Sequence, residues 1–95
     1  MGNIIVDIKA RIKRIILYLE KNYIREASAE FENLEREINS FLNIARSGEA
    51  RKQMLELKRF AELAAENINT SEFDVHKAFT YLAQVQKLIR KFWGV

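Results

Sequence analysis

Residues 19–31 read LEKNYIREASAEF. No glycine or proline interrupts them, yet their reading decides the fold. Either one helix runs through them, or the chain turns back at KNY. The residues on either side set the phase. Upstream, Ile5, Ile8, Ile12, Ile15 and Leu19 recur at 3-4 spacing, which puts them on one helical face. Continued strictly, that series would fall on Asn22, Glu26, Ala29 and Asn33, which are mostly polar. The apolar series instead restarts at Ile24. The phase jump predicts a turn at Lys21–Tyr23, with Asn22 in the left-handed or capping role that Asn tolerates. The competing reading is a stutter, in which Ile12, Ile16, Leu19, Tyr23, Ala27 and Phe31 share one face of an unbroken helix.

Three further stripes follow the same spacing. They are Ile24, Ala27, Phe31, Leu34, Ile38, Phe41, Ala45; then Met54, Leu57, Ala61, Ala64, Ile68; then Val75, Ala78, Leu82, Val85, Ile89, Phe92. In ARSGEARK, Gly48 is expected to close the second helix in the left-handed position after its end. In NTSEFD, Ser71 and Asp74 resemble a capping box from which the last helix restarts. A shift of 51 residues lays the fourth stripe on the second, with Ile24 on Val75 and Phe41 on Phe92. Short connections make sequential helices antiparallel. The predicted fold is therefore all-α, an antiparallel up-down four-helix bundle built from two helical hairpins, with residues 1–95 as one domain. The alternative is a long first helix spanning residues 3–45 in a three-helix or dimeric bundle.

Composition agrees with helices. The chain has 95 residues, 48% hydrophobic and 31% charged, with no proline, no cysteine and three glycines. Absence of cysteine removes disulfides, thiolate metal sites and thiol nucleophiles. The N-terminal run GNIIVDIKARIKRIILYL is interrupted by Asp7, Lys9, Arg11, Lys13 and Arg14, so it reads neither as a signal-peptide core nor as a membrane span. Met1-Gly2 lacks the Ser or Thr that myristoylation wants at the position held by Val6. A cytoplasmic protein is the expectation.

Little in the chain points to catalysis. His76 is the single histidine and follows the core position Val75, so it is expected to point outward. A carboxylate-bundle iron site needs Glu-x-x-His on two helices; Phe73 stands where the Glu would be. An exposed histidine on a helical bundle is similar to a histidine phosphotransfer domain, but that family's Lys and Gly positions are Phe79 and Thr80 here. Glu72 is expected to pair with His76 across one helical turn. No catalytic residue, metal ligand or cofactor is assigned.

Charge and leftover apolar residues give the functional expectations. Residues 1–25 carry six basic and two acidic side chains, and residues 26–49 carry two and six. Arg11 flanks the first stripe and Glu30 and Glu37 flank the second, so antiparallel pairing is expected to bring them together. Beyond its core face the first helix has a narrow second stripe, Val6, Ala10 and Leu17. A bundle helix needs only one apolar face, so this stripe is assigned to a protein interface, most simply with a second copy in a homodimer. The leading function is thus a non-catalytic helical interaction module that self-associates and has no membrane partner. The alternative is weak, sequence-independent nucleic-acid binding at a basic bundle end formed by Lys9, Lys13, Lys87, Arg90 and Lys91, with Trp93 as a stacking platform. The competing assignment for Trp93 is a plug on the open end of the core.

Overall fold

The computed structural model describes residues 4–69 and 74–95 and contains four helices: α1 (Ile4–Glu20), α2 (Ile24–Ile44), α3 (Gly48–Asn69) and α4 (Val75–Trp93). The chain turns at KNY. Asn22 has φ of 62°, a left-handed conformation that ends α1. The Asn22 N–H donates to the Leu19 carbonyl at 3.1 Å, and the Tyr23 N–H reaches back to the Tyr18 carbonyl at 2.7 Å. This pair of bonds is the Schellman motif, here with Asn in the position that usually holds Gly. The Tyr18 and Tyr23 rings, 6.4 Å apart, supply the contact that accompanies it. A continuous helix over residues 3–45 is therefore not the structure.

The other two connections differ in detail from the expectations. Gly48 is the first residue of α3 and does not close α2; among the described glycines only Gly94 has positive φ. The residue before Gly48 explains why. Ser47 accepts the Ala50 N–H on its hydroxyl at 3.3 Å and caps α3. Meanwhile α2 ends in extended backbone at Ala45, and the Arg51 guanidinium donates to the Leu42 carbonyl there. Asp74 is itself the N-cap of α4, its carboxylate accepting the Lys77 N–H at 3.1 Å. It does not occupy the third helical position, as a capping box from Ser71 would require, and Ser71 and Glu72 lie outside the described residues. Gly94, with φ of 72°, takes the left-handed position after α4, its N–H on the Arg90 carbonyl at 2.9 Å.

Cross-helix contacts fix the topology. Arg11 and Arg14 of α1 meet Glu37 and Glu30 of α2, with residue numbers rising on one helix and falling on the other. Likewise Ser28 meets Asn69 and Asn39 meets Lys58 between α2 and α3. The Phe60 and Tyr81 rings lie 6.3 Å apart between α3 and α4. Lys9 of α1 donates to the Val95 carbonyl beyond α4, which closes the ring. Each helix thus packs against two neighbours, antiparallel throughout. The α3–α4 and α1–α2 seams are the most extensive and α1–α4 the sparsest.

The core runs along the axis. Every predicted member of the first and third stripes is buried, and Ile8, Ile12, Ile15, Met54 and Leu57 are fully so. Leu42 and Leu88 are buried as well, while Phe41, Ala45 and Phe92 are half-buried. Among the described residues no polar or charged side chain is buried. The seams are therefore closed by apolar contact, and charged groups are left to the flanks and outer faces. Among the described residues no helix is long and apolar enough to cross a membrane.

Candidate functional site

The α1–α2 flank is the most organised polar cluster. The Arg11 guanidinium lies 3.2 Å from the Glu30 carboxylate and also pairs with Glu37. Arg14 Nε adds a bond to Glu30 at 3.1 Å, and Asn33 Nδ2 another at 3.2 Å. Glu30 and Glu37 are seven residues apart, two turns on one flank of α2, so a single guanidinium between them meets both. Burial pushes the Glu30 carboxyl up, but the hydrogen bonds from Arg14 and Asn33 and the charges of Arg11 and Arg14 outweigh it. The carboxyl is held below its ordinary value. A cluster of this kind pins the α1–α2 pairing.

The uncovered apolar surface of α1 lies on its outer face, opposite the buried stripe. Val6 and Leu17 are each 47% exposed, and Ala10 is exposed between them. Lys9 and Lys13 run along the same side, three or four residues from members of the stripe. Lys13 is exposed and takes part in no ion pair among the described residues. Lys9 is half-buried and held by the Val95 carbonyl, so it ties α1 to the end of α4.

On α4, Lys87, Arg90 and Lys91 line one shallow depression together with Ala83 and Gln86. No acidic residue occurs from Val75 to Val95. Lys91 stands over the Phe92 ring, 5.6 Å from its centroid. Trp93 is half-buried and meets Phe41 and Phe92 edge-on, with centroids 6.0 and 5.7 Å away. Its ring closes the end of the core between α2 and α4. Of the sequence-assigned basic residues, Lys87, Arg90 and Lys91 share this depression on α4, while Lys9 and Lys13 are on the neighbouring helix α1 and Trp93 turns to the interior edge.

Charge is segregated by helix pair. α1 has four basic and two acidic side chains and α4 four and none, a net +6 for that side. α2 has two basic and five acidic side chains and α3 four of each, a net −3. No protein-family model matches this chain, and no curated protein or solved structure gives a significant match.

One surface feature was not anticipated from sequence. A groove of about 290 Å³ opens between α2 and α3, floored by Phe31, Leu34, Ile38, Ala61 and Ala65. Its rim is acidic, with Glu32, Glu35 and Glu62, and Lys58 is its one cation. The small side chains of Ala61 and Ala65, four residues apart, were the available signal. His76 is exposed, as its position after Val75 implies. Among the described residues no group of three or more His, Asp or Glu could hold a metal ion.

Proposed function

We propose that the protein is a non-catalytic helical interaction module that self-associates through the α1 stripe Val6, Ala10 and Leu17. One observation carries the reading: Val6 and Leu17 remain 47% exposed on a helix whose core face is already filled by five other residues, Ile5 to Leu19. Single exposed hydrophobes are ordinary on protein surfaces; an aligned stripe on a helix with a complete core face is what a partner helix would cover. The stripe is small, which places the contact among weak, transient interfaces.

Sedimentation equilibrium tests the reading. The wild-type mass is expected to rise with concentration, and Leu17→Glu to remain a folded monomer by circular dichroism. A wild type that stays monomeric at millimolar concentration would overturn it.

A second reading rests on Lys87, Arg90 and Lys91 sharing one depression on a helix without carboxylates. Together with Lys9 and Lys13 they would neutralise phosphates of a nucleic-acid backbone without sequence preference. About four phosphate contacts on duplex DNA give a log–log salt slope of roughly −3.6. Fluorescence anisotropy with a labelled oligonucleotide at low salt measures it. Absence of binding at about 100 μM protein removes this reading, because non-specific binders reach about 1–100 μM even at physiological salt.

A further inference from the structure

We infer that the seat of the α1 stripe is the groove between α2 and α3 of another copy, so that self-association is head-to-tail rather than two-fold. The inference rests on the proposed self-association and adds the surface that receives the stripe.

Charge makes the choice. A two-fold contact through α1 would set the α1–α4 side of one copy, net +6, against the same side of its partner. Like charges facing each other oppose that arrangement. The α2–α3 side carries net −3, and the groove lies there. Glu32 and Glu35 on its rim are exposed and take part in no ion pair among the described residues. Lys58 is already engaged, donating to Asn39 at 3.0 Å and lying 3.9 Å from Glu62. The rim therefore presents free carboxylates around an apolar floor. The stripe presents the converse, apolar residues edged by Lys13, which is exposed and in no ion pair among the described residues, with Lys9 beside it tied to the Val95 carbonyl.

Dimensions agree. At 1.5 Å per helical residue, Val6 to Leu17 spans about 16 Å and Ser28 to Ile38, the length of groove along α2, about 15 Å. The stripe is on α1 and the groove is on the α2–α3 seam, so no copy can fill its own groove. Docking one stripe leaves a free groove on one copy and a free stripe on the other. Such a heterologous contact repeats, closing into a ring or growing as an open chain.

Two variants with complementary defects test this by sedimentation equilibrium. Leu17→Glu spoils the stripe and keeps the groove; the double variant Glu32→Lys with Glu35→Lys spoils the groove and keeps the stripe. Wild type is expected to exceed the dimer mass at high concentration. Each variant alone is expected to be monomeric, its dissociation constant raised at least about tenfold. An equimolar mixture is expected to form a one-to-one dimer that grows no further, because only one competent stripe and one competent groove remain per pair. Both altered glutamates are exposed, and circular dichroism checks that the variant folds. Should it fail to fold, Glu32→Gln with Glu35→Gln substitutes, and weaker salt dependence of association is the expected result. A monomeric wild type overturns the underlying reading and this inference with it. A wild type that associates while the groove variant associates equally well, or a mixture of the two variants that stays monomeric, overturns the head-to-tail contact alone.

Discussion

Tyr23 donates its backbone N–H to the carbonyl of Tyr18 at 2.7 Å while the two rings pack 6.4 Å apart. The bond spans five residues, which closes only if one of the three residues between α1 and α2 is left-handed. Asn22 meets that demand at φ of 62°. A left-handed L-residue costs about 1–2 kcal/mol, a cost Asn lowers by local hydrogen bonding and Gly avoids.

Substitutions at this position should therefore rank by backbone tolerance. Asn22→Gly is expected to match or slightly exceed wild-type stability. Asn22→Val should lose about 1–2 kcal/mol. Urea midpoints at constant m-value measure both.

The α1–α2 cluster should respond to loss of its centre. Arg11→Ala leaves Glu30 and Glu37 on one flank without the guanidinium that joins them, and Arg14 continues to hold only Glu30. The Arg11, Glu30 and Glu37 side chains are about one-fifth exposed, so solvent screens part of the effect. A loss of about 1–2 kcal/mol is expected, with a smaller loss in 1 M salt, where the wild-type pairing is itself screened.

Acid should act on the same cluster. Glu30 titrates below its ordinary value of 4.5 in the fold. Its contribution to stability is fully present above that unfolded-state value and is lost as pH falls through the lower folded value. Urea midpoints of wild type should therefore drop more steeply below pH 4.5 than those of Glu30→Gln. Parallel curves would show that the cluster does not bias the Glu30 proton.

Helix phase was legible wherever a helix has one covered face along its whole length. That holds for α1 and α3, where every residue at 3-4 spacing is buried. At the ends of α2 and α4 the pattern slips, since an α-helix drifts about 20° per heptad against a strict repeat. There the choice between Phe41 and Leu42, or between Leu88 and Phe92, depends on what fills the end of the bundle. Trp93 does so, and its ring takes the Phe41 side. Gly48 opens α3 and does not close α2, because glycine marks a helix end only where its φ is positive. Ser47 beside it, with a hydroxyl able to accept an N–H, is the stronger signal. The pairing of Arg11 with Glu30 and Glu37 follows from antiparallel register alone. The α2–α3 groove does not, because whether two helices close over Ala61 and Ala65 is set by the bulk of Phe31 and Ile38 on the facing helix.

Trp93 separates two roles for the same end of the molecule. As part of the core edge it meets Phe41 of α2 and Phe92 of α4, so its removal opens the end where α2 and α4 finish. A buried Trp→Ala change costs about 3–5 kcal/mol; Trp93 is half-buried, and about 2 kcal/mol is expected. As a stacking platform for single-stranded bases it would instead cost binding and leave stability unchanged, with about 1–3 kcal/mol lost per base. The chain has one tryptophan, so wild-type fluorescence reports this end directly. Unfolding in urea should shift its emission to the red at the same midpoint as the loss of helical circular dichroism. For Trp93→Ala, read by circular dichroism, the midpoint should fall. An unchanged midpoint together with weaker binding of single-stranded DNA would assign the ring to a ligand and remove it from the core.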